Sequence, residues 1–439
     1  MISFKEFKNE RLGEKCLYGV HSSGLEVFLV PKDHKKSYAI FGTRYGAMHR
    51  TFKTDSDPDF VTVPDGIAHF LEHKLFENED GSDTFSLYAQ HGANANAFTS
   101  NELTAYLFSA TGDYYENLEI LLKFVTSPYF TKETVDKEMG IIGQELRMYL
   151  DNPYRRLYKN LLDALYVNNH AKIDVGGTEE SIAKITPEIL YRCYGTFYNL
   201  HNMTLCLCGS FDPEKVSDVM DKTLKPSEPI NITHKFPEEP DRVNKSVVTE
   251  KFNIALPMFY LGIKDTPFSD FTDPKAILKK ICAHDVLLEI LFGRSSDFYN
   301  DLYESGMIND KFSSGYIYGK NFSFVYFAAE TREPEKVAAM IREEIEKAKS
   351  GKYGEVINEA FERSRRTVYA DCVQEWNSTS DIADNILDLR FIGADVMGMA
   401  DAAAELTVSD VLERLRESYD LSLSALSIIV PDECAESEK

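Results

Sequence analysis

The run Gly66-Ile-Ala-His69-Phe-Leu-Glu72-His73-Lys-Leu-Phe-Glu77 carries an H-x-x-E-H pattern. At 3.6 residues per turn, histidines at i and i+4 face the same way on a helix, and the glutamate sits beside them. Two imidazoles with a neighbouring carboxylate suit a divalent metal. Zinc takes neutral imidazole nitrogens at roughly 2.0–2.1 Å, and a catalytic zinc keeps three protein ligands and one open position for water. His69 and His73 are therefore candidate ligands, and Glu72 is a candidate base. The competing reading is an ordinary helix with two unrelated histidines.

A third ligand must come from another rigid element. From Thr131 to Asn152 the apolar residues Val135, Met139, Ile142, Leu146 and Tyr149 recur at helical spacing, with Pro128 before them and Asn152-Pro153 after them. On that helix Glu138 and Glu145 stand seven residues apart, hence two turns apart on one face. One can bind the metal while the other holds a ligating histidine through its free ring N–H, which fixes the tautomer. Taken alone, two glutamates on an amphipathic helix are more often solvated.

The order H-x-x-E-H, then E-x6-E some seventy residues later, resembles the insulinase or pitrilysin family of zinc metallopeptidases, the inverzincins. The likeness is to the half-size type akin to mitochondrial processing peptidase. It continues through Asn96-Ala97-Phe98-Thr99, Thr104-Ala-Tyr106, Glu138-Met-Gly-Ile-Ile-Gly-Gln-Glu145 and Gly177-Thr178. It implies one Zn2+ per chain held by His69, His73 and Glu145. Glu72 would be the catalytic base that activates zinc-bound water, with Glu138 behind a ligand as a supporting carboxylate. The implied reaction is hydrolysis of peptide bonds in short unfolded peptides.

The stretch from Gly92 to Ala110 reads as two strands, Ala95–Thr99 and Thr104–Ser109, joined by a turn at Ser100-Asn101-Glu102. A peptidase needs an extended substrate, and an exposed sheet edge accepts one as an added strand. The resemblance gives substrate binding to Asn96, Ala97, Phe98 and Thr99. Without the metal motif, the same stretch would read as an ordinary half-buried hairpin.

Length and composition bound the rest. A chain of 439 residues, 43% hydrophobic, is long enough for two domains with separate cores. No apolar run approaches about 18 residues, so no membrane span is expected. The charged start Met1-Ile-Ser-Phe-Lys-Glu-Phe-Lys lacks an apolar signal core. Seven scattered cysteines, Cys16, Cys193, Cys206, Cys208, Cys282, Cys372 and Cys434, fit reduced thiols and a cytoplasmic setting. Cys206 and Cys208 alternate in an apolar run and read as core packing. A formal charge of −23 excludes a nucleic-acid binder built on clustered Lys and Arg.

Between Leu224 and Lys245, Pro226, Pro229, Pro237 and Pro240 mark a linker, and elements recur in one order on either side. The metal helix is echoed by Asp273 to Phe292 and the edge hairpin by Phe312 to Glu330. The helix at Tyr114 is echoed by Pro334 to Lys349, the carboxylate helix by Gly354 to Trp376, and the strand Met203 to Cys208 by Leu423 to Val430. The expected fold is α+β: two similar domains, each a mostly antiparallel sheet with helices on one face, arranged as a half-clamshell. The expected division is a zinc-bearing domain 1–225, a linker 226–245 and a metal-free domain 246–439.

The second half replaces H-x-x-E-H by Cys282-Ala-His284-Asp-Val-Leu-Leu-Glu289, where His284 reads as structural. The family usually places an Arg and a Tyr here, in a G-x-x-S-R-L…L-A-Y pattern. In this chain Arg294 is displaced and no Ala-Tyr pair follows. The resemblance therefore implies either a homodimer or a heterodimer in which a related metal-free subunit supplies both groups. The alternative function is a non-catalytic structural or peptide-binding subunit of the same family.

Overall fold

The computed structural model describes residues 2–351 and 354–432. The chain forms two compact units. The first comprises Met1–Arg147, Ile173–Phe236 and Gln374–Phe391, and the second Met148–Lys172, Pro237–Val373 and Ile392–Lys439.

The first unit is built on a seven-stranded sheet. Its spatial order is Lys5–Asn9, Glu14–Val20, Glu26–Pro31, Met203–Gly209, Ser37–Thr43, Thr104–Ala110 and Ala93–Thr99. Every pairing is antiparallel except that of Glu26–Pro31 with Met203–Gly209. The two central strands, Ser37–Thr43 and Met203–Gly209, are buried along their whole length. Cys206 and Cys208 lie buried there, as packing predicts. The expected hairpin forms with one or two more residues per strand, and Ala93–Thr99 is left at the sheet edge.

The second unit repeats the plan in five strands: Val247–Phe252, Ser424–Pro431, Met258–Asp265, Ser323–Glu330 and Ser313–Tyr318. Here Val247–Phe252 runs parallel to the closing strand, as Glu26–Pro31 does in the first unit, and the other pairings are antiparallel. The two sheets thus share a five-strand topology, which is the duplication read from the order of elements. The echoed helices form over Pro274–Phe292, Pro334–Lys349 and Gly354–Glu375.

The units are not the contiguous halves 1–225 and 246–439. Asn152 does more than end a helix: its side chain accepts from the amides of Tyr154 and Arg155 and caps a new helix, Pro153–Leu165. That helix buries Leu157, Leu161, Leu162 and Leu165 and packs on strands Ser424–Pro431 and Met258–Asp265 of the second unit. In the other direction, part of Thr379–Ile392 joins the first unit. There Tyr38 Oη donates to Asp384 Oδ1 at 2.8 Å, and Arg390 pairs with Glu26. Apolar faces settle on whichever sheet buries them, whatever their place in the sequence.

The segment 226–245 is likewise more than a tether. Ile232–His234 pairs with Thr51–Thr54 to extend a three-stranded sheet of the first unit. In the second unit, Glu239 accepts from the amides of Val167, Asn168 and Asn169 and from Lys264 Nζ. Six cysteines are free and buried, while Cys434 lies outside the described residues. Among the described residues, no helix is long and apolar enough to cross a membrane.

Candidate metal centre

The H-x-x-E-H run forms the helix Ile67–Leu75, whose Ile67, Ala68, Phe70, Leu71 and Leu75 enter the core of the first unit. Burying that face turns His69, Glu72 and His73 toward the neighbouring elements. The helix begins at Gly66 with φ of 87°, a left-handed conformation that favours glycine. A Cβ there would stand 2.3 Å from the Gly176 carbonyl oxygen, and one on Gly177 would stand 2.5 Å from the Asp65 oxygen. Ser181 Oγ adds a 2.8 Å hydrogen bond to the Asp65 carbonyl. The 174–181 loop therefore clamps the start of this helix by close backbone approach. The spacing of charged residues carries no sign of that clamp; the Gly-Gly pair at 176–177 is the only signal for it.

The expected carboxylate helix forms over Lys132–Leu150, burying Val135, Ile142 and Leu146. It brings Glu138 and Glu145 to the two histidines. His73 Nε2 lies 3.3 Å from Glu145 Oε2, and His69 Nε2 lies 3.7 Å from Glu145 Oε1. Suitable ligand atoms of His69, His73 and Glu145 all fall within 4.8 Å of one another. His73 Nδ1 is 3.0 Å from Glu138 Oε1. With that nitrogen donating, Nε2 keeps its lone pair toward Glu145. The two glutamates thus separate: Glu145 faces both imidazoles, and Glu138 backs one of them.

This donor set fits zinc. Ligands at about 2.0–2.1 Å in tetrahedral geometry lie about 3.3 Å apart, close to the separations here. Glu72, Glu138 and Glu145 also gather three carboxylates about two imidazoles in a half-buried place, an excess of negative charge that a divalent cation answers. Burial by itself would lower the His73 pKa, but the Glu138 hydrogen bond and the surrounding carboxylates outweigh it, and the net shift is upward.

Glu72 is 8% exposed. Burial raises its carboxyl above the usual range, opposed by a hydrogen bond from Thr99 and by His73. Thr99 Oγ1 donates to Glu72 Oε2 at 2.6 Å, a contact that sequence reasoning did not identify. Period-two alternation was the available signal, since it sets Thr99 on the opposite face from Asn96 and Phe98. Along Ala93–Thr99 burial alternates strictly, with Asn94, Asn96 and Phe98 exposed. The four residues Asn96 to Thr99 are therefore divided between two faces.

The edge backbone is also defined. The Ser100 amide donates to Leu103 O at 2.8 Å, and Thr99 stands opposite Thr104. Pairs alternate between hydrogen-bonded and non-hydrogen-bonded along an antiparallel ladder, so the N–H and C=O of Ala95, Ala97 and Thr99 point away from the partner strand. In agreement, the Ala97 N–H is taken at 2.9 Å by the side-chain oxygen of Asn96.

In the second unit, His284 is fully buried and stacked on Tyr316 at 3.9 Å between centroids. Its Nε2 lies 3.3 Å from Asp265 Oδ2, which also pairs with Lys280 Nζ at 2.8 Å and accepts from Tyr316 Oη at 2.8 Å. The structural reading of His284 agrees with this buried cluster.

Comparison with known proteins agrees with this architecture. Residues 63–179 match Insulinase (Peptidase family M16), and residues 184–368 match the Peptidase M16 inactive domain. The chain is 37% identical over 432 residues to the uncharacterized zinc protease YmfH of Bacillus subtilis, covering 97% of this chain and 99% of that protein. It is 22% identical to the zinc protease PqqE of Helicobacter pylori, covering 93% and 91%. Among solved structures, a putative M16-like peptidase from Alicyclobacillus acidocaldarius superposes with a TM-score of 0.89 at 31% identity, over 98% of this chain and 99% of that one. The chain belongs to the insulinase family of peptidases, M16.

Proposed function

We propose that this chain is a zinc-dependent endopeptidase of short unfolded peptides. The observation that carries the reading is the convergence of His69, His73 and Glu145 within one ligand-sized group, with the buried Glu72 on the same helix. His69, His73 and Glu145 would hold one zinc ion, and Glu138 fixes the His73 tautomer through Nδ1. When bound, zinc supplies Lewis acidity that lowers the pKa of water toward about 7 and polarises a peptide carbonyl. Glu72 takes a proton at its carboxylate and returns it to the leaving amine. Its burial on the helix that carries both histidines places it to hold a proton between the two events.

The substrate joins the edge strand Ala93–Thr99 as an added strand, using the outward N–H and C=O of Ala95, Ala97 and Thr99. The Asn96 side chain must then leave the Ala97 N–H. The Arg and Tyr usual in the second half are missing here. Their absence supports a second proposal, that a related metal-free subunit completes a dimeric chamber around the site. Six buried free cysteines support a reducing, cytoplasmic setting.

The test is cleavage of an unstructured peptide mixture, read by mass spectrometry, for the wild type with zinc, the wild type with chelator, and Glu72→Gln, with bound metal assayed throughout. Glu72→Gln is expected to keep zinc and lose turnover by about 100-fold or more. His69→Ala and Glu145→Ala are expected to lose both. Bound zinc without cleavage by the wild type points to the missing subunit. Absence of metal under every condition overturns the peptidase reading in favour of a structural or peptide-binding subunit.

A further inference from the structure

Thr99 lies in the strand that the family resemblance gives to the substrate, yet its hydroxyl is engaged elsewhere. Oγ1 stands 2.6 Å from Glu72 Oε2 and 3.2 Å from Thr104 Oγ1. Thr104 is fully buried, and its own hydroxyl donates to the Tyr45 carbonyl at 2.8 Å. A threonine hydroxyl has one proton to give. With Thr104's proton committed to Tyr45, Thr104 Oγ1 can only accept, and the single proton of Thr99 has two destinations. The carboxylate is closer and charged, and charge-assisted bonds are roughly twice as strong as neutral ones, so Glu72 receives it.

The backbone enforces this choice. Thr99 and Thr104 face each other at the first non-hydrogen-bonded position after the turn, where opposed side chains come closest. Thr104 therefore blocks Thr99 from behind and limits its hydroxyl to the side facing the His69 helix. Asn96 and Phe98 point from the opposite face of the strand.

We infer that Thr99 is a positioning residue for Glu72: its hydroxyl pins Oε2 and leaves Oε1 as the oxygen that exchanges the proton. This rests on the reading of Glu72 as the base. A buried carboxylate has two near-equivalent oxygens and can turn about its last torsion. Anchoring one of them orients the other without adding charge to the site. Substrate enters by the backbone edge of the same strand, so one residue serves the substrate with its main chain and the base with its side chain.

The experiment compares full-length wild type, Thr99→Val, Thr99→Ala, Thr99→Ser and Glu72→Gln. Its readouts are kcat and KM on one peptide from a tryptic digest of denatured casein, zinc affinity, melting temperature of the metal-free protein, and a crystal structure of Thr99→Val. Thr99→Val is expected to lower kcat by about 10- to 100-fold, the cost of a misplaced reacting group, with KM and zinc affinity within about twofold of wild type. Thr99→Ser is expected to restore most of kcat, and the Glu72 carboxylate should be turned in the Thr99→Val crystal. Thr99→Ala serves in place of the valine variant if the latter does not fold. A raised KM with unchanged kcat, or an unmoved Glu72 in Thr99→Val, overturns the inference. If Glu72→Gln is fully active, the assignment of the base fails, and the inference fails with it. Loss of effect at Thr99 alone, with Glu72→Gln inactive, overturns only the inference.

Discussion

Glu138 and Glu145 share a helix and a residue type, and they differ in where each meets an imidazole. Glu138 reaches the far nitrogen of His73 at 3.0 Å, while Glu145 faces the near nitrogens of both histidines. Glu138→Gln keeps an acceptor for the ring N–H and loses the charge. Zinc affinity is expected to fall by about 10- to 100-fold, measured by competition with a chromophoric chelator, with the fold unchanged by circular dichroism. His234, half-buried among His49, Phe197 and Phe236, has its pKa pushed by burial from 6.5 down to about 4. The folded protein holds this ring neutral at pH values where the unfolded chain protonates it, so stability rises with pH between about 4 and 6.5. The contribution is fully present above about 6.5 and is lost as pH falls through that window. His234→Phe keeps the stacking and removes the titration. Denaturant unfolding at pH 7 and pH 5 should show a loss about 1–2 kcal/mol smaller in the variant than in the wild type.

At the scale of elements, the edge strand Ala93–Thr99 carries the substrate proposal, and its ladder phase allows a specific test. The Ala97 N–H points off the sheet, so Ala97→Pro removes no internal strand bond, and proline is tolerated at such an edge position. The variant should fold and bind zinc as the wild type does, yet lose the donor an added strand needs, raising KM by about 5- to 10-fold, equivalent to about one hydrogen bond of 1 kcal/mol or slightly more. An unchanged KM would mean that peptides do not pair there. The elements of the candidate metal site were legible in the sequence because their periodicity is strong: His69 and His73 at i, i+4, and Val135, Ile142 and Leu146 on one buried stripe. The destination of Thr99's hydroxyl was not, because one proton choosing between Glu72 and Thr104 depends on distances that only packing sets.

For the molecule as a whole, the duplicated sheets carry opposite kinds of polar cluster. The first unit gathers carboxylates about two imidazoles, whereas the second buries a cluster on Asp265, with Lys280, His284 and Tyr316 around it. Burial alone would raise the Asp265 carboxyl, but His284 and Lys280 reverse this and hold it well below the usual carboxylate range. Its stabilising contribution is therefore present above pH about 4 and is lost only in stronger acid. Asp265→Ala leaves Lys280 as an uncompensated buried charge and is expected to destabilise the protein by about 3–5 kcal/mol, read as a lowered denaturant midpoint. Zinc stoichiometry should stay at that of the wild type, since Asp265 belongs to the other unit.

The family was legible through the resemblance of H-x-x-E-H followed by E-x6-E, the two repeated α+β units through the order of elements, and the residues of the candidate metal group through helical periodicity. Packing in three dimensions settles which sheet receives the helix Pro153–Leu165 and the segment Gln374–Phe391, and that 226–245 adds a strand to one unit and the Glu239 anchor to the other. It also set Glu145 toward both imidazoles, Glu138 behind His73, and Thr99 against Glu72. The difference is one of range. Apolar burial has no direction and takes whatever surface is nearest in space, and a hydrogen bond discriminates between partners over tenths of an ångström, which no spacing along a chain encodes.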